Sequence, residues 1–123
     1  MINNFLDLRT WQESRLLVKE IYRIIEKFPD FEKYNIISQL RSSAVSIAAN
    51  IAEGMGRSTT KDLCRFLIQA RGSLHETISH LILAKDLGYI SDQDLKELEN
   101  RYWGFNVGIN NHINSLKDSD NFK

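Results

Sequence analysis

The sequence predicts an all-α protein folded as an antiparallel, up-down-up-down four-helix bundle. Apolar residues recur every three or four positions in four long segments, which is the repeat of a helix with one buried face. Connections of about eight, six and three residues separate these segments, and such short connections favour antiparallel neighbours. No segment has the alternating pattern or the turn signals of paired strands. The chain has 123 residues, so residues 1–123 are expected to form one domain.

The first two predicted helices are bounded by a proline and a glycine. Helix 1 is expected from about residue 8 to residue 27, because Phe28 precedes Pro29 and a residue before proline avoids the helical conformation. Helix 2 is expected from about residue 36 to residue 53, with Gly54 directly after its C-cap. The predicted buried positions are Trp11, Ser14, Val18, Ile21, Tyr22 and Ile25 in helix 1, and Ile37, Leu40, Ala44, Ile47 and Ile51 in helix 2.

The last two helices have clearer capping signals. Helix 3 is expected to start near Thr60, with Ser58, Thr59 or Thr60 as its N-cap, and to stop at Gly88. Helix 4 is expected to open with Ser91 as N-cap, and the polar tail at residues 118–123 is expected to fray. The predicted buried positions are Leu63, Leu67, Ala70, Leu74, Ile78, Leu81 and Ala84 in helix 3, and Leu95, Leu98, Tyr102, Phe105, Ile109 and Leu116 in helix 4.

The composition favours a cytoplasmic protein without a membrane segment. Cys64 is the only cysteine, so no intramolecular disulfide can form, which fits a reducing compartment. The first residues lack the basic and apolar regions of a secretory signal, and no apolar stretch approaches the roughly 20 residues of a membrane span. The formal net charge is zero, whereas a dedicated nucleic-acid binder usually has a basic excess.

Helices 3 and 4 carry more apolar residues than one bundle needs, which predicts a homo-oligomer. The candidate interface residues are Ile68, Ile82, Trp103, Gly104, Val107 and Gly108. Each mid-helix glycine costs about 1 kcal/mol relative to alanine, and a close partner helix would justify the pair. The alternative is that both glycines admit bulky core residues of the same subunit. Similarly, the run of small residues at positions 42–49 indicates either a tight intramolecular helix crossing or an interface.

The sequence does not match the catalytic and metal-binding motifs that suit helical proteins, so we expect no enzyme, no metal and no cofactor. His75 and His80 are five residues apart, whereas a zinc-protease helix needs histidines four apart. No Glu-x-x-His motif of a di-iron bundle occurs. Ribonucleases of the HEPN type carry an Arg followed by four to six residues and a His. The pairs Arg71 with His75 and Arg101 with His112 do not fit that spacing, so a ribonuclease remains the less favoured alternative.

Two basic ridges are the candidate contacts for nucleic acid. Residues 54–74 hold four cations and one anion, and residues 86–123 hold seven acids and four cations, so the neutral total conceals a polarised chain. The candidate residues are Arg15, Lys19, Arg23, Arg41, Arg57, Lys61 and Arg65. Such cations suit the phosphate backbone of RNA or DNA, an acidic partner, or a nucleic-acid-associated protein. The alternative is that they form solvated helix faces.

One segment resembles a known family. Residues 39–54 read Gln-Leu-Arg-Ser-Ser-Ala-Val-Ser-Ile-Ala-Ala-Asn-Ile-Ala-Glu-Gly, and this segment resembles the signature of the 23S rRNA-intervening-sequence proteins, also called four helix bundle proteins. The resemblance extends over about residues 8–116. Two positions depart from the usual pattern, since Ser42 stands where a second arginine is common and Ala48 where a proline is common.

The resemblance implies an up-down four-helix bundle assembled into a homopentameric ring. It also implies a fold similar to that of the accessory protein of diversity-generating retroelements, a basic barrel that engages reverse transcriptase and nucleic acid. The family name describes gene location, so the biochemical role stays open. Two polar signature residues are expected to be structural: Asn50 bonds across helices and Glu53 pairs with a cation such as Arg57.

Overall fold

The computed structural model describes residues 4–122 and contains four long helices: α1 (Arg9–Ile25), α2 (Ile36–Met55), α3 (Thr60–Asp86) and α4 (Asp92–Lys117). Short 3-10 turns form at Phe5–Asp7, Asp30–Glu32 and Asp120–Phe122. No strand occurs within residues 4–122. The predicted all-α class and the four helices are therefore confirmed. Residues 1–3, where the absence of a secretory signal was predicted, and residue 123 of the tail lie outside the described residues.

The predicted caps of α3 and α4 are confirmed. The hydroxyls of Thr59 and Ser91 each accept a hydrogen bond from the backbone N–H three residues later, at 3.1 and 3.0 Å. Gly88 has a φ of +82°, a left-handed conformation that glycine adopts without steric cost. The next backbone N–H donates to the carbonyl of Ala84 at 2.9 Å, which completes the C-terminal cap.

Gly54 does not end α2 as predicted, since the helix continues to Met55. A Cβ atom added at Gly54 would lie 2.9 Å from the Cβ of Phe66 on α3 and 3.3 Å from the carbonyl oxygen of Leu63. Gly54 therefore serves the close approach of two helices, a role that turn chemistry alone does not reveal.

The small residues of α2 face α3 within the same subunit. Thr77 donates from its hydroxyl to Ser43 at 2.8 Å, and the hydroxyls of Ser46 and Ser73 are 3.0 Å apart. These pairs run in opposite order along the two helices, as in antiparallel packing. Asn50 donates to the backbone carbonyl of Ser46, on its own helix, at 2.9 Å. The expected bond from Asn50 across helices is therefore wrong, and Ser46 makes the cross-helix contact instead.

The core-facing side of α1 is rotated from the predicted one. Tyr22 is 46% exposed, whereas Leu17 and Ile24, which were not predicted as core, are almost fully buried. The helix buries the residues nearest the bundle axis, and Tyr22 lies at the edge of that arc with its polar end in solvent. Leu17, Ile24 and Ile113 join Leu40, Ile51, Leu67 and Leu81 in the core.

The described part of the tail contains a short turn. Residues 120–122 form a 3-10 turn, and Phe122 packs half-buried against the core. The Nζ atom of Lys61 lies 5.8 Å from the centre of the Phe122 ring. The composition of this segment is polar, but its one aromatic residue supplies enough apolar surface to dock.

Candidate functional site

Four of the predicted interface residues lie on the outer side of α3 and α4. Ile68 and Ile82 on α3 are 39% and 38% exposed, and Trp103 and Val107 on α4 are 40% and 57% exposed. His75, seven residues from each isoleucine, packs edge-on against Trp103 with ring centres 5.2 Å apart. These four apolar residues, with His75 between them, are called the α3–α4 face below.

The two glycines lie on a different side of α4. A Cβ added at Gly108 would be 3.3 Å from the methyl group of Thr10 on α1, whereas one added at Gly104 would have nothing within 4 Å. Both glycines line a groove of about 340 Å³ between α1 and α4. The intramolecular alternative thus accounts for Gly108, and neither glycine belongs to the α3–α4 face.

The predicted ridge on α1 is partly neutralised within the subunit. Arg23 donates to the carboxylate of Glu20 at 2.8 Å, and this hydrogen bond raises the pKa of the guanidinium above its usual value. Asp94 and Glu97 on α4 add to that effect. Arg15 instead lies over the Trp11 ring, 5.9 Å from its centre. Lys19 is exposed, so the three cations do not share one environment.

Arg41 lies on α2, apart from the other candidate cations. It is half-buried and lines a groove of about 300 Å³ together with Tyr22, Glu26 and Asp30. Lys33 also lines this groove, so two carboxylates and a second cation surround the position of Arg41.

Arg57, Lys61 and Arg65 form the compact part of the basic surface and are called the basic corner below. They lie at positions 57–65, in the connection after α2 and the first turns of α3. The guanidinium carbons of Arg57 and Arg65 lie 4.7 and 4.6 Å from the centre of the Phe66 ring. Stacking on this ring fixes both guanidinium planes at the surface.

The basic corner also contains two exposed ion pairs. Arg57 bonds Glu53 at 2.6 Å, as predicted, and Arg65 lies 3.5 Å from Asp62. Exposed pairs of this kind contribute little to stability. Because a guanidinium carries five donors, each arginine keeps N–H groups that a phosphate oxygen can accept from.

Sequence reasoning missed a prominent surface at the opposite end of α2. Phe31 and Tyr34, in the connection between α1 and α2, are 78% and 88% exposed. Leu83 and Leu87 near the end of α3 are also largely exposed. Two aromatic residues in a short, otherwise polar connection were the available signal.

The remaining candidates for chemistry are isolated from one another. Within residues 4–122, no group of three or more His, Cys, Asp or Glu side chains is placed to hold a metal ion. Cys64 is buried, with 2% of its surface exposed. None of the helices in the described range is long and apolar enough to cross a membrane.

Comparison with known proteins assigns the family. No match to the chain is found among curated proteins. The family model of the 23S rRNA-intervening sequence protein matches residues 6–110, which covers all of α1, α2 and α3 and most of α4. The chain therefore belongs to the 23S rRNA-intervening sequence protein family.

Proposed function

We propose that this protein is a non-catalytic, cytoplasmic assembly module that forms a closed homo-oligomer and contacts nucleic acid with its basic corner. The observation that carries the proposal is the exposed α3–α4 face. Five copies are proposed because the family resemblance implies a homopentamer, and the same resemblance suggests a basic ring that engages nucleic acid.

The α3–α4 face supports assembly because its residues are large and apolar yet exposed in the isolated subunit. The indole N–H of Trp103 makes a 3.4 Å contact with Glu99, and the residue stays 40% exposed even though His75 packs against it. Contiguous exposed apolar patches commonly mark protein interfaces, and tryptophan is enriched among the residues that dominate binding. A ring buries such a face on every copy when each contact is head-to-tail.

Light scattering on purified protein tests the ring. We expect a mass of five chains at micromolar concentration, and a lower mass for Ile82→Glu/Val107→Glu, because both substitutions place charge in a desolvated contact. The matched control is Leu16→Glu, which adds a charge at an exposed leucine of α1 away from this face. Circular dichroism should show that all three proteins stay helical. A monomeric wild type, or an unchanged mass in the double variant, would count against the ring.

The basic corner supports backbone contacts to nucleic acid. Arg57 and Arg65 are held on Phe66, and Lys61 extends from the first turn of α3. Contacts to phosphate position a nucleic acid without reading its sequence. Repetition around a ring would sum several weak sites into useful avidity. We therefore expect weak, sequence-tolerant binding to RNA and DNA that depends strongly on salt.

Filter binding with a mixed RNA and DNA pool tests this part of the proposal. The logarithm of the affinity should fall with the logarithm of salt by about 0.9 per phosphate contacted on duplex DNA, and by about 0.7 on single strands. The variant Arg57→Gln/Lys61→Gln/Arg65→Gln should lose most of the binding. Its matched control, Arg15→Gln/Lys19→Gln/Arg23→Gln, removes the same charge from α1 and should lose much less.

Other outcomes decide between the proposal and its rivals. No retention at low salt, or equal retention by both triple variants, would favour a purely structural ring whose cations only solvate the surface. Cleavage of the RNA pool by wild type, lost in His75→Ala, would overturn the absence of catalysis and favour a ribonuclease. The contacts of Arg71 and His75 argue against ribonuclease activity. Arg71 donates a hydrogen bond to Asn110 at 2.8 Å, and His75 packs on Trp103.

A further inference from the structure

The connection between α1 and α2 exposes two aromatic rings on a firmly held turn. Phe31 lies in the 3-10 turn Asp30–Glu32, and Tyr34 follows two residues after that turn. They are the two most exposed of the large hydrophobic residues described in the structure. Rings of this size bury about 150–250 Å² each when they are covered, so leaving both in water is unfavourable.

A buried carboxylate fixes this turn in place. Glu32 is 8% exposed, and its side chain accepts hydrogen bonds from the Tyr89 hydroxyl at 2.7 Å and from the Asn35 amide at 3.3 Å. The Tyr89 ring also packs on Phe28, with centres 5.3 Å apart. A turn that is already ordered loses little conformational entropy on docking. The two rings are therefore presented in a fixed position.

An apolar groove opens directly beside the aromatic rings. It holds about 340 Å³ and is lined by residues of the turn, of the start of α2 and of the end of α3, including Ile36, Leu83 and Leu87. Glu32 and Asn35 form its wall on the side of the turn. Phe31 and Tyr34 are not among the residues that line this groove, so they do not fill it in their own subunit.

The charges of this surface are complementary to each other. Lys33 lies between the two aromatic residues in the sequence, with its Nζ atom 5.5 Å from the centre of the Tyr34 ring, and it also lines the separate groove that contains Arg41, Glu26 and Asp30. Asp86, the last residue of α3, lines the groove. An acid at a helix C-terminus is unfavourable for the helix dipole. Among the ion pairs of residues 4–122, neither Lys33 nor Asp86 takes part.

We propose that this end of the bundle binds the same end of a second copy, with the Phe31 and Tyr34 rings of each copy in the groove of the other. A two-fold contact requires one patch to carry both the projecting group and the cavity that receives it. In this protein the exposed rings and the groove belong to neighbouring segments. In the proposed two-fold dimer, Lys33 of each copy lies next to Asp86 of the other. This interface is separate from the α3–α4 face and does not depend on the ring.

The predicted contact is small. Four aromatic rings and four leucines from two copies amount to on the order of 1,000 Å², the low end for a specific interface. We therefore expect a dissociation constant in the micromolar range. If the ring also forms, the contact pairs two rings through their ends and doubles the mass.

Sedimentation equilibrium over a concentration series up to about 100 μM tests the aromatic part. The variant Phe31→Ser/Tyr34→Ser should raise the dissociation constant of the doubling step at least about 100-fold. Leu16→Ser, which removes an exposed leucine elsewhere, should behave as wild type. In the Ile68→Glu/Val107→Glu background, which disables the α3–α4 face at positions far from Asp86, the doubling step should remain as a simple dimer. The two proposed interfaces thus fail independently.

A charge exchange tests the two-fold geometry itself. Lys33→Asp and Asp86→Lys should each weaken the doubling step by on the order of tenfold, and the combined exchange Lys33→Asp/Asp86→Lys should restore it. Asp86→Lys should at the same time raise the midpoint of thermal unfolding, because a cation suits the end of α3. If Asp86→Lys only disturbed the fold, it would not weaken association and stabilise the subunit at the same time.

Four results would overturn the proposal. The first is no doubling step in wild type or in the Ile68→Glu/Val107→Glu background. The second is the same doubling in Phe31→Ser/Tyr34→Ser as in wild type. The third is failure of the combined charge exchange to restore what each single change loses. The fourth is that Phe31 and Tyr34 bind some other protein and the chain does not self-associate.

Discussion

Gly54 occupies the tightest contact between α2 and α3. Its Cα faces the Cβ of Phe66 so closely that an added methyl group would overlap it at 2.9 Å. The Leu63 Cδ1 atom, at 3.0 Å, is the end of a side chain and can move aside, but the Cβ of Phe66 and the carbonyl oxygen of Leu63, at 3.3 Å, lie on or next to the backbone of α3 and cannot. The helices must separate to accept any larger residue.

Gly54→Ala is therefore expected to lower the free energy of unfolding by about 1–3 kcal/mol, the usual range for overpacking. Urea denaturation measures this change. The matched control is Gly72→Ala on α3, where an added Cβ meets nothing within 4 Å. That substitution should stabilise the protein by up to about 1 kcal/mol, because alanine is the better helix former. Equal effects of the two substitutions would show that packing at Gly54 is not limiting.

His112 links stability to pH. Burial lowers its pKa below the usual value of 6.5, so the folded state binds a proton less readily than the unfolded chain. Between the lowered pKa and 6.5, the unfolded state holds more protons, and the free energy of unfolding falls as the pH falls. At pH values above 6.5 this contribution is constant.

His112→Gln should reduce this dependence. Thermal unfolding at about pH 5 and about pH 7.5 should show a smaller loss of stability on acidification for the variant than for wild type. Comparing the difference between the two proteins removes the contribution of the carboxylates that both share. An equal loss in both proteins would exclude His112 as the group responsible.

A pair of hydroxyls organises the crossing of α2 and α3. Thr77 is fully buried, and its Oγ1 atom is 2.8 Å from both the Ser43 hydroxyl and the backbone carbonyl of Ser73. Small residues allow the two helices to approach, and the hydroxyls then need partners because water is excluded. The contact between α2 and α3 therefore depends both on small side chains and on the hydrogen bonds between their hydroxyls.

Thr77→Val keeps the shape of the side chain but removes the donor, so it should cost about 1–3 kcal/mol by leaving its former partners unsatisfied. The double variant Ser43→Ala/Thr77→Val should cost less than the sum of the single changes, because it removes both members of the pair. Ser79→Ala, at an exposed position of α3, is the control and should be neutral. Additive costs in urea denaturation would mean that the two hydroxyls act independently.

The buried thiol of Cys64 can serve as a probe for opening of the bundle. This residue lies on the first turns of α3 in contact with the core cluster. A reagent can reach it only when the bundle opens, so the rate of labelling reports the opening equilibrium of the whole molecule.

We expect folded protein to react slowly with a thiol reagent and to react faster in step with unfolding as urea is added. The variant Ser79→Cys supplies an exposed thiol on the same helix as a control, and it should add a fast phase. Rapid labelling of Cys64 in the absence of urea would mean that this end of the bundle opens locally.

The sequence by itself determined the four helices, the caps at Thr59, Ser91 and Gly88, and the family. Helical hydrogen bonds, caps and apolar periodicity all act over four residues or fewer, so the local sequence is sufficient. The signature around Asn50 is a local feature for the same reason.

Only the tertiary structure decided which faces and which charges remain available. The rotation of α1 about its axis, the overlap at Gly54 and the effect of Asp94 and Glu97 on Arg23 depend on residues in different helices. The exposure of Phe31 and Tyr34 follows from the anchoring of Glu32 by Tyr89, 57 positions later. The angles and distances between packed helices set these features, because packing is a property of pairs of elements and not of any single segment.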